Sequence, residues 1–126
     1  HVQHSVVDEA SCIPLQPDDD LVAASAARLA GIAYRGIRAA KPAPHDRVAV
    51  LGLGAIGQSS ARLFSATGAE VIGIDPVEDR RQNLAKAGIR TISPSEAQDE
   101  YGDSFDVVVD ATGSEKAIEL TIHLAK

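Results

Sequence analysis

Gly52-Leu53-Gly54-Ala55-Ile56-Gly57 spaces three glycines as G-x-G-x-x-G, the kind of spacing that can bring backbone N–H groups close to a phosphate. The pattern alone is weak, because glycine-rich turns are common. Context gives it weight: it follows Val48-Ala49-Val50-Leu51, an apolar run of strand type, and it opens a helical stretch. Each glycine would then have its own task. Gly52 can take the backbone angles of a tight turn. Gly54 lacks a Cβ, so a pyrophosphate can approach its main chain, and Gly57 lets the helix lie close to the strand. Leu53, Ala55 and Ile56 complete the loop, where the helix N-terminus offers free N–H groups and partial positive charge. A glycine turn that merely packs is the rival reading; a strand before it and a helix after it argue against that.

Asp75 ends the second apolar run, Val71-Ile72-Gly73-Ile74. A carboxylate there can accept hydrogen bonds from both hydroxyls of an adenosine ribose and would repel a 2′-phosphate. The expected cofactor is therefore NAD in preference to NADP; the rival role for Asp75 is capping the next helix. Arg80 can reach the ribose or adenine from that helix, while Arg80 and Arg81 together could tolerate a phosphate or simply face solvent. Asp110-Ala111-Thr112-Gly113 follows a further strand, Phe105–Val109. Ligands in open α/β sheets bind beyond the carboxyl ends of the strands, so the backbones of Ala111 and Thr112 should line the cofactor groove. Asp110 either joins them or caps the following helix.

Groups that would move a proton or hold a metal are scarce. The histidines are His1, His4, His45 and His123, and the one cysteine, Cys12, stands alone. None of them pairs at a metal-ligand spacing with a cysteine, so a zinc site is not supported. His1 and His4 lie three apart but read as a solvated tail. Tyr34 and Tyr101 lack the nearby lysine that a tyrosine-based dehydrogenase would need. No catalytic residue is assigned.

The elements around these residues fall into three segments. Residues 1–16 carry two short extended pieces, Ser5-Val6-Val7 and Cys12-Ile13-Pro14-Leu15. Residues 17–45 open on an aspartate run suited to a helix N-cap and continue as a helical connector from Leu21 to Ala40. Gly31 and Gly36 predict two pieces or a kink there, and Pro42 and Pro44 a stop. Residues 46–126 alternate strand and helix: strands at 48–51, 71–74, 89–92 and 105–109, helices at 55–67, 77–87 and 115–125, and one helical turn at most within 93–104. This rhythm predicts an α/β fold, a Rossmann-type doubly wound parallel sheet of four visible strands, incomplete against the roughly six of the full fold. The chain therefore reads as a segment of a longer protein.

Composition agrees. The chain is 44% apolar, mostly small aliphatic residues, with no tryptophan or methionine. That suits close helix-on-sheet packing. A net charge of −6 argues against a nucleic-acid or anionic-membrane partner. The single cysteine and the lack of a long apolar run or signal peptide point to the cytoplasm.

Taken in order, these features resemble the middle of a medium-chain dehydrogenase/reductase, the alcohol dehydrogenase superfamily. The carrying residues are Asp46 through Gln58, Gly68 through Asp75, Arg80, Ala85, Gly88 and Phe105 through Gly113. Ala23–Ala40 looks like the alanine-rich segment linking that family's catalytic and cofactor domains, and residues 1–16 look like the last strands of the catalytic domain. The resemblance implies that Gly52, Gly54 and Gly57 hold the pyrophosphate and Asp75 the adenosine ribose, with Arg80 beside it and Gly31 and Ile32 near the nicotinamide. It implies a small-molecule substrate in the full protein, leaves room for a homodimer, and makes this segment alone inactive. The segments that supply two of the family's zinc ligands are absent, and the third ligand would fall near Ala27 or Arg28, neither of which binds zinc. Two rivals remain: a nucleotide-sensing regulatory module, which would start nearer the first strand, and an S-adenosylmethionine-dependent methyltransferase, whose loop normally lacks a glycine at the position of Gly57.

Overall fold

The computed structural model describes residues 3–126, so the His1 half of the His1–His4 pair lies outside it. Nine regular elements follow a 3-10 turn at Glu9–Ser11: α1 (Leu21–Ala40), β1 (Arg47–Leu51), α2 (Ala55–Ala66), β2 (Glu70–Ile74), α3 (Glu78–Ala85), β3 (Arg90–Ile92), α4 (Pro94–Glu100), β4 (Val107–Asp110) and α5 (Glu115–Leu124). The strands form one parallel sheet in the order β3-β2-β1-β4. Val50 sits level with Gly73 on one side and Val109 on the other.

Successive side chains of β1 feed two separate cores, as the period of a strand requires. Val48 and Val50 pack with Leu53, Phe64, Leu84 and Ile89 beneath α2 and α3, with Ile37 and Ala40 of α1 against them. Ala49 and Leu51 pack with Ile74, Ile92, Tyr101, Phe105, Leu120 and Leu124 beneath α4 and α5. Both faces of the sheet are thus covered, which is why β1 and β2 read as continuous apolar runs rather than alternating ones.

Two expectations need correction. Of the two alternatives for residues 21–40, two pieces is ruled out, because α1 is a single uninterrupted helix of 20 residues. Asp20 caps it by accepting hydrogen bonds from the Val22 and Ala23 amides, and it packs along α2. A glycine in a helix costs only about 1 kcal/mol each, which this tertiary contact offsets. Residues 93–104 hold a seven-residue helix, α4, rather than a single turn. A capping box starts it: the Ser93 hydroxyl accepts from the Glu96 amide, the Glu96 carboxylate accepts from the Ser93 amide, and Pro94 occupies the first turn. Burial of Ala97 and Tyr101 holds it in place. Ser5–Val7 and Cys12–Leu15 lie outside any strand, and Val6, Val7, Ile13 and Leu15 are exposed.

Candidate cofactor-binding site

The glycine loop sits at the carboxyl end of β1, between the ends of β2 and β4. Its three glycines are required for different reasons. Gly52 has φ +84°, and a Cβ there would lie 2.7 Å from the Thr112 methyl. A Cβ on Gly57 would lie 1.7 Å from the Gly52 carbonyl oxygen, so the first turn of α2 rests directly on the loop's own start. Gly54 has φ −73° and nothing within 4 Å of an added Cβ. Neither its backbone nor its packing calls for glycine. Leu53, buried, anchors the loop over Gly73, where a Cβ would meet Leu84 at 2.5 Å and Leu53 at 3.0 Å. Ala55 is exposed at the helix start, and Ile56 is half-buried behind it.

Asp75 is placed where the sequence puts it, but its carboxylate turns inward and is only 1% exposed. Oδ2 accepts from the Leu53 amide at 2.7 Å, and Oδ1 accepts from the Val77 amide at 2.8 Å. One side chain thus joins the glycine loop to the turn that starts α3. Arg80 covers it, with Nη1 3.5 Å from Oδ2 and the guanidinium half in solvent. Arg81 donates to the Asp75 carbonyl and pairs with Glu78. Hydrogen bonds first from Gln82 and then from Arg81 hold the Glu78 carboxyl below its ordinary range.

A cavity of about 430 Å³ opens beside these groups, lined by Gly52, Gly54, Asp75, Pro76 and Arg80 on one wall and Pro94, Ala111, Thr112, Ser114, Lys116, Ala117 and Leu120 on the other. It therefore brings together six of the residues singled out from sequence; Gly57 and Ile56 support the loop from behind. Asp110 does not cap α5. Its Oδ1 accepts from the Thr112 amide at 2.8 Å and hydroxyl at 2.6 Å, fixing the turn that carries Ala111 and Thr112. Gly31 and Ile32, on α1, do not line the cavity. Pro94, Lys116 and Leu120 were missed from sequence. Pro94 belongs to a helix that was not expected, and the α5 residues are identifiable only once α5 is seen to cross beneath Thr112.

A second, more open groove of about 720 Å³ lies between α2 and α3 and shares Gly54 and Arg80 with the first. Among the described residues no group of three or more His, Cys, Asp or Glu is placed to hold a metal, and no helix is long and apolar enough to cross a membrane.

The model of the D-isomer specific 2-hydroxyacid dehydrogenase NAD-binding domain matches residues 23–114. L-galactonate-5-dehydrogenase of Escherichia coli (strain K12) is 33% identical over 104 residues, which cover 75% of this chain and 30% of that protein. The alcohol dehydrogenase of Aeropyrum pernix is 26% identical with a TM-score of 0.75, covering 89% of this chain and 37% of that one. Acetophenone reductase from Geotrichum candidum, solved in complex with NAD, has a TM-score of 0.80 at 20% identity, covering 90% and 34%, and so speaks for the fold alone. The alcohol and polyol dehydrogenases bear out the medium-chain resemblance, and the 2-hydroxyacid model describes the same Rossmann cofactor segment in another group of dehydrogenases. The chain spans about a third of the length of these relatives.

Proposed function

The chain belongs to the NAD-binding domain family of the D-isomer specific 2-hydroxyacid dehydrogenases, and from that premise, together with its likeness to L-galactonate-5-dehydrogenase and alcohol dehydrogenase, we propose that it is the cofactor-holding part of an alcohol- or polyol-type dehydrogenase that takes NAD(H) in preference to NADP(H). The observation that carries the reading is Gly54. It lies on the wall of the cavity, and no neighbour among the described residues accounts for its missing side chain. The space in front of it suits a group that must touch the main chain, as a pyrophosphate does at a helix N-terminus.

In this reading Gly52, Gly54 and the first amides of α2 hold the pyrophosphate, with Gly57 seating the helix behind them. The adenine lies between Pro76 and Thr112. A ribose that reaches Asp75 displaces Arg80 from the carboxylate, and the negative charge left there disfavours a 2′-phosphate. The bound nicotinamide supplies hydride chemistry; the chain's own residues bind and orient it. The substrate, a small molecule, and the groups that move its proton are assigned to the rest of a longer cytoplasmic protein, to which residues 1–16 and the 17–45 connector lead.

Fluorescence titration with NADH and NADPH tests this. Wild type should bind NADH more tightly than NADPH. Gly54→Val should weaken both by tenfold or more (about 1.4 kcal/mol or above) while its thermal midpoint stays near that of wild type. Tighter binding of NADPH than of NADH, or full binding by Gly54→Val, would overturn the reading.

A further inference from the structure

We propose that the groove between α2 and α3 is a phosphate-monoester site coupled to the cofactor cavity through Arg80. The inference deepens the cofactor reading and rests on it only for the coupling.

Three cations line this groove: Arg62 from α2, Arg80 and Lys86 from the α3 side. Gln58 and Asn83 add side-chain amides, and no carboxylate is on its wall. In a chain of net charge −6 such a local excess of positive charge is unusual. Two of the cations are also weakly engaged. Arg62 Nη2 is 3.5 Å from Gln58 Oε1, and Lys86 Nζ is 3.4 Å from Asn83 Oδ1. Both contacts are long for hydrogen bonds, and both partners are neutral. Of the two acids of α3, Glu78 is taken by Arg81 and Gln82, and neither Glu78 nor Asp79 lines the groove.

The framework is fixed where it needs to be. Gln58 Nε2 donates to the Arg80 carbonyl at 2.9 Å, which ties α2 to α3 across the groove. Two guanidinium groups and an ammonium, drawn from both walls, offer the charge-assisted donors that a dianionic phosphate takes best. Neutral and monoanionic ligands would leave cations uncompensated. Arg80 faces both spaces, so its release from Asp75 by a ribose adds a donor to the groove, and an anion in the groove draws Arg80 off Asp75. The two ligands should therefore favour each other.

Two sources of the phosphate ester fit: a separate phosphorylated small molecule, which the charge on Asp75 favours, and the 2′-phosphate of NADP. The experiment titrates wild type and the Arg62→Ser/Lys86→Ser double variant with inorganic phosphate, NADH and NADPH at constant ionic strength, following the side-chain amide signals of Gln58 and Asn83 by NMR. Arg62 and Lys86 line the groove and not the cofactor cavity. Phosphate should shift both signals in wild type, and the double variant should lose roughly tenfold or more in phosphate affinity, the scale of losing two charge-assisted contacts, with NADH affinity unchanged within about twofold. A matching loss for NADPH assigns the site to the 2′-phosphate; NADPH tracking NADH assigns it to a separate phosphate ester. Unmoved Gln58 and Asn83 signals together with unaltered NADPH binding in the double variant overturn the proposal. Phosphate binding without any NADH binding by wild type would overturn the cofactor reading and leave the groove site standing.

Discussion

Gly52, Gly54 and Gly57 satisfy one pattern by three kinds of physics, and substitution separates them. Gly57→Ala puts a methyl 1.7 Å from a backbone oxygen that cannot swing away. The loop or α2 has to move, and we expect a loss of about 3 kcal/mol or more in unfolding free energy, measured by urea denaturation. Gly54→Ala meets open space at an ordinary φ, so its stability should lie within about 0.5 kcal/mol of wild type, as for a surface change, although its NADH affinity falls. The three positions were legible in the sequence because their spacing is local. What each one touches was not, since Thr112 and Ala111 come from the far end of the chain. The same limit hid the orientation of Asp75. Its position at a strand end could be read, but its bond to Leu53 spans 22 residues, and only the assembled sheet shows that the carboxylate faces inward.

At the scale of elements, the strands were the easiest to place, because short β-rich apolar runs bounded by glycine and polar residues have few other uses in a parallel sheet. Helices carried by caps rather than by apolar periodicity were harder. Helix α4 buries only Ala97 within its span, so periodicity is almost silent, and the Ser93-Pro94-Ser95-Glu96 start was the usable signal. Hydrogen bonds from Ser93 lower the Glu96 carboxyl below its ordinary range. A lowered folded-state value means the stabilisation is present above the unfolded glutamate value and is lost as pH falls through the folded one. Amide exchange in the first turn of α4 should therefore quicken, relative to α2, as pH drops below the ordinary glutamate range; a constant ratio would refute the role of the cap. Helix α1 makes the opposite case. Its glycines predicted a break or a kink, the helix runs unbroken, and an added Cβ at Gly31 or Gly36 meets nothing within 4 Å. Gly31→Ala and Gly36→Ala should each raise stability by about 0.5–1 kcal/mol, seen as an upward shift of the thermal midpoint.

For the molecule as a whole, the order β3-β2-β1-β4 brings the ends of β1, β2 and β4 together at one edge, so the cavity draws on residues from 52 to 120. A ligand that binds there stabilises the entire fold. NADH at a hundred times its dissociation constant should add about 2.7 kcal/mol and raise the thermal midpoint by several degrees, checked by calorimetry. No such rise would mean that the cavity is not the binding site. The chain spans about a third of the length of its relatives, and in the proposed reading the rest of the protein carries the chemistry, so mixed with NAD and simple alcohols or polyols it should form no NADH. Whole-molecule facts were partly legible: alternation of elements gave the sheet, whereas exposed Val22 on α1, at 79%, and Ile122 on α5, at 72%, showed their unburied faces only in three dimensions.

The double tie made by Asp75 also bears on how cofactor choice can change over time. Neutralising a strand-end acid is the simplest step toward accepting a phosphorylated ribose, but here it would strand two backbone N–H groups, those of Leu53 and Val77. Each orphaned donor costs about 1–3 kcal/mol, a large share of the stability of a domain this size. A lineage, or a designer, would have to install replacement acceptors before or together with that substitution. In the proposed reading, cofactor preference at this position is protected by the folding requirement, and asparagine or serine, which keep one of the two acceptors in place, are the first steps most open to it.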